Sequence, residues 1–400
     1  MRAVILAAGE GSRMRPLTYT RPKVMLPVAG KPIIEHLLLE AVSAGIGEFT
    51  LVTGYHDEQV RGYFGDGSKW GVRIDYITQR KQQGTADALR NTAASQKDNF
   101  LVINGDVVVS SKAIMSLAQK NTNTMTLFRI EDATGLGVVT VKGKRVTRIY
   151  EKVERPPSRL ANAGLYLFTP EIFEAISRTQ KSPRGEYEIT DSIQILIDSG
   201  VPFGYQIISK WLDVSYPWDL LAANEAILAN LKPERLGEIE DNVRIIEPVS
   251  IGKGTVVKSG TYIIGPVIIG GDCEIGPNSY IRPSTSIGSD CHVGASCEVK
   301  NSIIMNRSNV PHLNYVGDSV IGEECNLGAG TKIANLRLDK KEIVVAGVRT
   351  GRQKLGAIIG DGVQTGINAS INCGSVIGNN TFIGPGVFAS GVIAPDSRIH

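Results

Sequence analysis

The sequence predicts an α/β domain with a mostly parallel, Rossmann-like sheet, followed by a parallel β-helix of hexapeptide repeats. Three observations lead to this prediction. The chain has 400 residues, which is more than one hydrophobic core usually serves. Of its 44 glycines, 20 lie in the first 240 residues and 24 in the last 160, and all three tryptophans precede all five cysteines. The spacing of apolar residues also changes, from short separated runs to a strict period of six.

Short β-branched runs alternate with helical patterns, such as residues 32–44, through the first 230 residues. Strands that alternate with helices predict a mostly parallel sheet with helices on both faces. Ligands of such sheets bind at the carboxyl ends of the strands, so functional residues are expected just after each run. The predicted strands are residues 4–6, 49–52, 74–77 and 100–103.

An aliphatic residue recurs at every sixth position from residue 245, and glycine often follows it. Neither the period of a strand nor that of a helix explains this spacing. Six residues on each flat face, with three faces per turn, describe a parallel β-helix whose aliphatic side chains fill a triangular core. Hexapeptide repeats of this type resemble those of left-handed β-helices. The ten unbroken positions are Ile245, Ile251, Val257, Ile263, Ile269, Ile275, Ile281, Ile287, Val293 and Val299.

The repeat frame is lost twice, between Val299 and Ile321 and again over residues 334–355. The first gap is predicted to be an irregular segment that carries His312 and Tyr315. Repeats kept for packing have little need of such excursions, whereas active-site residues are often found on them. The competing interpretation is a trimerising scaffold without chemistry, in which His312 is structural.

A glycine-rich loop, AAGEGSRMRP, follows the first predicted strand. Gly9 and Gly11 allow the backbone to approach phosphates closely, and Arg13 adds a positively charged fork. Neither a GxGxxG fingerprint nor a GK[ST] P-loop is present. More cations follow as far as Lys23, which suits a triphosphate and its pyrophosphate leaving group. The alternative is a tight turn with solvated charges.

Two carboxylates come directly after apolar runs, Asp106 in NGDVVV and Asp213 in KWLDV. Both are placed to hold a magnesium ion that bridges phosphoryl groups, although a structural turn also explains Asp106. In QQGTADAL, Gly84 and Thr85 can present backbone and hydroxyl groups to a planar base. The alternative for this segment is a plain helix start at Ala86 with Thr85 as N-cap.

Composition and charge exclude several classes of protein. Lys and Arg number 43, and Asp and Glu number 40. The net charge of +3 therefore gives no indication of binding to nucleic acid or to an anionic membrane. No stretch approaches the roughly 18 apolar residues of a membrane span, and the N-terminal apolar run is too short for a signal peptide. A cytoplasmic protein is expected. Five cysteines without CxxC pairs predict reduced packing thiols.

The first half of the chain resembles the sugar-phosphate nucleotidylyltransferases. Over residues 1–228 it carries their signature, LAAGEGSRMRPLTYTRPKVMLPVAGKPIIEH, and then QQGTADAL, NGDVVV, IYEKVE, NAGLYLF, GEYEITD and WLDV in the family's order. The resemblance implies in-line attack of a sugar 1-phosphate oxygen on the α-phosphorus, with release of pyrophosphate. It implies triphosphate binding by Gly9, Gly11, Arg13 and Lys23, the last two catalytic; base contacts by Gln79, Gly84 and Thr85; sugar-phosphate contacts by Gly137, Glu151, Lys152 and Asn162; and Mg²⁺ ligation by Asp106 and Asp213.

The second half resembles the acetyltransferase half of the bacterial bifunctional N-acetylglucosamine-1-phosphate uridyltransferase/glucosamine-1-phosphate acetyltransferases. The motifs are RPSTSI, EVKN, PHLNYVGD, CNLGAGT and TKIANL. The resemblance implies that His312 is the general base when the sugar amine attacks acetyl-CoA. Related sites lie between subunits, which implies a homotrimer. It further implies that Asn326, which belongs to the same site, orients His312 and that Ala329 lines the pantetheine groove. The residues implied to bind the acceptor are Arg282, Lys300, Tyr315 and Asn335.

Two features depart from the bacterial enzymes and resemble archaeal versions. Asp213 stands where the bacterial enzyme has asparagine, and MRPLTYTRPKVMLPV is closer to thymidylyl-transferring relatives. The sequence therefore leaves open UTP or dTTP as the nucleotide. It also leaves open glucosamine or galactosamine 1-phosphate as the acetyl acceptor.

Taken together, these features predict a bifunctional enzyme of nucleotide-sugar synthesis that uses Mg²⁺, acetyl-CoA and UTP or dTTP. Its expected parts are a nucleotidylyltransferase domain at 1–230, a linker at 231–244 and a left-handed β-helix acetyltransferase domain at 245–400. The alternative is a glucose-1-phosphate thymidylyl- or uridylyltransferase whose β-helix only trimerises or regulates. A non-enzymatic subunit is disfavoured because Arg13, Lys23, Asp106 and Asp213 are all present.

Overall fold

The computed structural model describes residues 1–151 and 153–400, which form two compact units. The first unit comprises Met1–Glu10, Arg21–Met25 and Ile33–Asp213. The second comprises Gly11–Thr20, Leu26–Pro32 and Val214–His400. Two short N-terminal segments therefore group with the C-terminal part of the chain, and the predicted domain limits of 1–230 and 245–400 stay a prediction.

A nine-stranded sheet forms the centre of the first unit. All four predicted strands are confirmed, and they pair in parallel with one another. In spatial order the strands are Arg73–Thr78, Glu48–Thr53, Arg2–Ala7, Phe100–Asn104, Leu160–Phe168, Thr124–Arg129, Gly204–Ile208, Arg145–Tyr150 and Val138–Lys142.

The other half of this sheet is mostly antiparallel, so the prediction of a mostly parallel sheet is wrong there. Leu160–Phe168 runs antiparallel to both of its long neighbours. Val138–Lys142 and Arg145–Tyr150 form a hairpin. Only two residues separate these strands, and a parallel pair would need a crossover of a dozen residues or more. Thr124–Arg129 and Gly204–Ile208 form a parallel pair in this half.

Helices and two apolar clusters cover both faces of the sheet. The adjacent residues Val4 and Ile5 lie in different clusters because successive side chains of a strand point to opposite faces. The predicted helix at 32–44 is confirmed as Ile33–Ser43. The remaining α-helices are Asp57–Phe64, Thr85–Arg90, Ser111–Ala118, Ile172–Arg178, Ile189–Asp198 and, in the second unit, Asp219–Leu228; short 3₁₀ turns lie at Ser12–Met14, Lys23–Met25, Ser68–Trp70 and Ala93–Ser95.

Three stacked parallel sheets make up most of the second unit and form a left-handed β-helix. The predicted hexad residues from Ile251 to Val299 are all buried in one apolar core, which confirms the repeat. One sheet contains Glu234–Arg235, Val249–Ile251, Val267–Ile269, Thr285–Ile287, Ile303–Ile304, Val320–Ile321, Ala357–Ile359, Ser375–Ile377 and Val392–Ile393. The next contains Glu238–Ile239, Val256–Val257, Glu274–Ile275, His292–Ala295, Asn309–His312, Asn326–Leu327, Gln364–Thr365, Phe382–Ile383 and Arg398–Ile399. The third contains Arg244–Ile246, Tyr262–Ile264, Tyr280–Ile281, Glu298–Lys300, Tyr315–Gly317, Lys332–Ile333, Ser370–Ile371 and Phe388–Ala389.

The first coil begins before residue 245, within the segment predicted to be a linker. Glu234–Arg235 and Glu238–Ile239 already pair in parallel with the following coil. The first of these strands was not recognised because Arg235 carries a charge at the position paired with the core residue Ile251. Ile239, six residues before Ile245, continues the repeat and pairs with Val257.

The prediction of an irregular segment between Val299 and Ile321 is wrong. The coil continues there with regular strands, and its core positions are Ile304, Val310, Val316 and Ile321. Two faces are one residue short, from Val299 to Ile304 and from Val316 to Ile321, so a fixed count of six loses the frame although the coil remains intact. His312 and Tyr315 consequently lie on strands.

The second predicted gap, residues 334–355, is confirmed as an excursion from the coil. It contains the antiparallel pair Val344–Val345 and Val348–Arg349. Ile343 and Val345 are buried, and Ile343 lies against the backbone of Gly374. The excursion is therefore packed on the β-helix.

A short hairpin and the helix Asp219–Leu228 also belong to the second unit. The hairpin strands are Pro27–Val28 and Lys31–Pro32. Asn224 of the helix is fully buried; its Oδ1 accepts hydrogen bonds from the amide of Ala29 and the hydroxyl of Ser286, and its Nδ2 donates to the carbonyl of Ser284. One amide thus joins the hairpin, the helix and the β-helix.

Two further expectations are answered by the fold. All five cysteines are free thiols, and four of them are buried. Within the described ranges, no helix has the length and apolar character needed to span a bilayer.

Candidate functional sites

The two predicted metal ligands lie at one end of a small two-stranded sheet in the first unit, Asp213 on a strand and Asp106 in the turn before the other strand. Trp211–Asp213 pairs antiparallel with Val107–Val109, and Asp213 is opposite Val107, the neighbour of Asp106. Lys23, which is nearly buried, places its Nζ 2.6 Å from Oδ2 of Asp106. The structure therefore brings Lys23, Asp106 and Asp213 together, although they are far apart in the sequence.

The predicted base-binding loop follows the strand Arg73–Thr78. Gln79 donates from Nε2 to the carbonyl of Gly84 at 3.1 Å. Gly84 has φ of +107°, and a Cβ there would lie 2.8 Å from the amide nitrogen of Tyr187 and closer still to its carbonyl oxygen. The loop is held against Tyr187 by hydrogen bonds from Ala86 N to Tyr187 O and from Tyr187 N to Gln83 O. Glycine is required at position 84 by this close backbone approach.

Thr85 has a different role from the N-cap that the alternative interpretation gave it. The helix begins at Thr85, and its N-cap is Gly84. The Thr85 hydroxyl accepts a hydrogen bond at 2.9 Å from the amide of Ile189, the first residue of another helix. Thr85 therefore satisfies a helix-terminal donor far away in the sequence, a contact that local sequence does not reveal.

The predicted phosphate loop is divided between the two units. Gly9 lies in the first, and a Cβ there would meet nothing within 4 Å. Gly11 and Arg13 lie in the second. Gly11 is left-handed with φ of +73°, and its carbonyl accepts from Met14 N and Thr18 Oγ1. The Arg13 guanidinium is 5.2 Å from the ring centroid of Tyr216.

The predicted sugar-phosphate residues also come together. The amide of Asn162 donates to the carbonyl of Gly137 at 2.9 Å, and a Cβ on Gly137 would lie 3.0 Å from Oε2 of Glu151. Asn162 donates from Nδ2 to the hydroxyl of Tyr166 at 2.7 Å. Burial raises the pKa of Tyr166, so its hydroxyl stays protonated near neutral pH. Lys152, predicted for the same site, lies outside the described residues.

One residue of this cluster was missed by the sequence analysis. Arg184 is 3.4 Å from Oε1 of Glu151 and 2.7 Å from Oε1 of Glu188. It directly precedes the GEYEITD motif, and its i,i+4 spacing from Glu188 is the signal that could have identified it.

A second polar cluster is centred on Asp318 of the β-helix, whose side chain is only 4% exposed. Its Oδ2 accepts from Lys300 Nζ at 3.2 Å and from Asn335 Nδ2 at 2.5 Å. Its Oδ1 accepts from Asn301 Nδ2 at 2.7 Å. The predicted acceptor residues Lys300 and Asn335 are thus joined through a carboxylate that the sequence analysis did not single out.

Tyr315 and Arg282 border this cluster. Asn335 hydrogen-bonds the Tyr315 side chain, and the absence of a side chain at Gly317 leaves room for both. Burial chiefly, and then the charges of Glu298 and Asp318, raise the pKa of Tyr315, so its hydroxyl remains a donor near neutral pH. Arg282 binds Glu298 at 2.7 Å. The result is two cations and a phenol on one face of the helix.

His312 ends the strand Asn309–His312, and its side chain is exposed. Its carbonyl accepts a hydrogen bond from the amide of Gly330. Gly330 directly follows Ala329, the residue predicted to line the pantetheine groove. Asn326, predicted to orient His312, lies beside Asn309, three residues earlier on the same strand. The register therefore places Ala329 nearer to His312 than Asn326, and the orienting role stays a prediction.

The carboxylates present fit a magnesium site in which the protein supplies two ligands. Mg²⁺ is usually bound by one or two protein carboxylates together with substrate phosphates. Asp213, at the end of one strand, and Asp106, directly before its partner strand, supply two carboxylates. In the part of the chain that the structure describes, no group of three or more His, Cys, Asp or Glu side chains is placed to hold a metal ion. Phosphate oxygens would therefore have to complete the coordination.

Two separate polar clusters, one beside an α/β sheet and the other on a β-helix, are features of a transferase with two sites. The chain belongs to the nucleotidyl transferase family, since residues 2–230 match that family's model. Residues 263–399 match the model described as the GMPPB C-terminal domain.

Named relatives match along almost the whole chain. The bifunctional protein GlmU of Methanococcus maripaludis is 43% identical, covering 100% of this chain and 97% of that protein. A bifunctional sugar-1-phosphate nucleotidylyltransferase/acetyltransferase of Sulfurisphaera tokodaii is 40% identical, covering 96% of each. A crystal structure from Bacillus anthracis, of a candidate glucose-1-phosphate thymidylyltransferase in complex with sucrose, is 31% identical with a TM-score of 0.53, covering 58% of this chain and 97% of that one.

We expect Gly84→Ala to destabilise the protein more than Gly143→Ala. A methyl group at position 84 meets the Tyr187 backbone, whereas at Gly143, where φ is +60°, it meets nothing within 4 Å. Both variants place an L side chain at positive φ, which costs about 1–3 kcal/mol, and only the first adds a steric clash. Thermal unfolding followed by circular dichroism measures the difference, and equal melting temperatures would show that the Gly84–Tyr187 contact is unimportant.

Proposed function

We propose that the protein acetylates an amino-sugar 1-phosphate with acetyl-CoA at the β-helix and transfers UMP or dTMP to a sugar 1-phosphate at the α/β sheet. The acetyl acceptor is glucosamine or galactosamine 1-phosphate, and the product is UDP-N-acetylglucosamine or a related nucleotide sugar. The observation that carries this proposal is the cluster of Lys300, Tyr315 and Asn335 around Asp318, which a scaffold would not need. Full-length similarity to proteins named as bifunctional also supports it over a nucleotidylyltransferase with a passive β-helix.

In the nucleotidylyl transfer, an oxygen of the sugar 1-phosphate attacks the α-phosphorus, and the bond to the β-phosphate breaks to release pyrophosphate. The attacking group is already an anion, so no protein nucleophile or base is needed. The protein's task is to position two anions and offset their charge. Arg13 and Lys23 supply positive charge for the triphosphate, with Gly9 and Gly11 in the loop that approaches it. Gln79, Gly84 and Thr85 face the base, and Gly137, Glu151, Lys152 and Asn162 hold the sugar phosphate.

Asp106 and Asp213 would hold Mg²⁺, which when bound offsets phosphoryl charge as a Lewis acid. Lys23 offsets the charge of Asp106, with 2.6 Å between its Nζ and the carboxylate Oδ2. The same lysine is near enough to meet a phosphate that binds beside this carboxylate.

In the acetyl transfer, the sugar amine attacks the thioester carbonyl of acetyl-CoA, the C–S bond breaks, and CoA leaves as a thiol. Imidazole is suited to accept the amine proton near neutral pH. We assign this task to the imidazole of His312. The phosphate of the acceptor is held by Arg282, Lys300 and the Tyr315 hydroxyl. Asn335 binds a neighbouring oxygen of the acceptor. Ala329 lines the path of the pantetheine arm, and Asn326 belongs to the same site.

The predicted homotrimer is part of this proposal. Most homo-oligomers close by point-group symmetry, and we assign the contact between subunits to the β-helix. We also propose that the enzyme acts in the cytoplasm, on small sugar phosphates and nucleotides, without nucleic acid or membrane partners.

A substrate panel tests the proposal directly. UTP and dTTP are combined with glucose, N-acetylglucosamine and N-acetylgalactosamine 1-phosphates, and pyrophosphate release is measured. Glucosamine and galactosamine 1-phosphates are tested with acetyl-CoA by thiol release. We expect both products to be formed. Pyrophosphate without any CoA thiol would instead support the nucleotidylyltransferase with a passive β-helix.

We expect His312→Ala to lower CoA release by about 10²–10⁴-fold, the usual contribution of a general base, and to leave pyrophosphate release unchanged. His292→Ala is the matched control, since His292 lies one coil earlier on the same sheet and is paired with Asn309. An equal loss of both activities in His312→Ala would contradict the assignment.

Asp106→Asn should have the opposite effect and lower pyrophosphate release at least about a hundredfold, because it removes a charge that serves the metal and Lys23. CoA release should stay at the wild-type rate. Asp98→Asn, at an exposed position of the same unit, is the control. A full nucleotidylyl rate in Asp106→Asn would remove this carboxylate from the site.

A further inference from the structure

The orientation of one buried amide is fixed by a residue of the QQGTADAL segment to which no role has been given so far. Gln79 is only 4% exposed. Its Nε2 donates both to the carbonyl of Gly84 at 3.1 Å and to Oδ2 of Asp87 at 2.8 Å. Gln79 therefore donates hydrogen bonds to two acceptors at the same time, one on the backbone and one on a side chain.

These two bonds determine which polar atom of Gln79 remains for a ligand. A primary amide has two N–H donors and one carbonyl oxygen, and both donors are engaged. Rotating the amide by half a turn would place Oε1 against a carbonyl and a carboxylate, which repel it. Oε1 is therefore held on the side away from Gly84 and Asp87, and it is an acceptor only.

Asp87 is itself well placed to act as a fixed partner. It lies in the first turn of the helix Thr85–Arg90, where a carboxylate interacts favourably with the helix dipole. Its side chain is 19% exposed, and Arg90 Nη1 is 4.0 Å from its other carboxylate oxygen. Gly84, the second anchor of Gln79, is immobilised by the backbone of Tyr187.

We propose that Asp87 is a positioning residue that determines base specificity. By holding the Gln79 amide with its oxygen toward the base, Asp87 selects a pyrimidine with an N–H at N3, as in uracil and thymine. Cytosine carries a lone pair at N3, and two acceptors then face each other. The inference rests on the proposed function, because it takes the base of a nucleoside triphosphate to be the ligand of Gln79.

The test compares Asp87→Ala with Asp87→Asn. Alanine removes one of the two acceptors and leaves only the Gly84 carbonyl to oppose rotation of the amide. The Gln79 Nε2 can then turn to donate to cytosine. Asparagine has an oxygen that can still accept from Nε2, so it should rescue the preference although the charge is lost. Asp87→Ser, whose hydroxyl is one atom shorter, is a second variant in case alanine prevents folding. Equilibrium binding of UTP and CTP is measured by calorimetry, and kcat/KM for pyrophosphate release is measured with the same nucleotides.

We expect the wild-type chain and Asp87→Asn to prefer UTP. In Asp87→Ala and Asp87→Ser, the UTP-to-CTP ratio of affinity and of kcat/KM should fall about tenfold or more. This is the discrimination that one base-edge contact usually supplies. A purely structural role would weaken both nucleotides equally and leave the ratio unchanged, which would overturn the inference. Equal binding of UTP and CTP by the wild type would overturn it too. Preferential binding of UTP without pyrophosphate release would instead contradict the proposed nucleotidylyl transfer and leave the binding preference standing.

Discussion

The backbone ladder between successive coils of the β-helix is the constraint on which the C-terminal cluster depends. In the coils that form this cluster, each parallel pairing places a residue beside one 17 positions further along, as Glu298 beside Tyr315 and Tyr315 beside Lys332. Because the core side chains must point inward at every coil, the outward residues are stacked in columns. Lys300 thus lies beside Gly317, whose missing side chain leaves room for Tyr315 and Asn335.

Both candidate sites contain ion pairs before any ligand binds. Lys23 with Asp106 and Lys300 with Asp318 each join a cation to a carboxylate that is at most partly exposed. Removing one partner from a buried pair is costly, typically about 3–5 kcal/mol for a fully buried one, because the other charge is left unpaired. Each pair therefore holds its lysine in place, and an incoming phosphate adds a second anion to a lysine that is already positioned.

Much of the fold and part of the sites could be predicted from the sequence. The strands of the parallel half-sheet, the helix Ile33–Ser43 and the six-residue repeat follow from local patterns of apolar residues. The antiparallel half-sheet was mispredicted because strand direction depends on which distant strand is the neighbour. The segment around His312 was misjudged because two faces are one residue short, which shifts the count without disturbing the core. Asp318, Arg184 and Asp87 went unrecognised because each owes its importance to its contacts.

The sequence by itself determined the periodic core of the β-helix and the order of the polar segments along the chain, because both are properties of spacing and residue type. Only the tertiary structure decided which of those segments meet. Asp213 lies opposite Val107 although more than 100 residues separate them, and Asp318 collects donors from Lys300, Asn301 and Asn335. Strand register is set by the free energy of pairing between distant residues, and no local pattern encodes it.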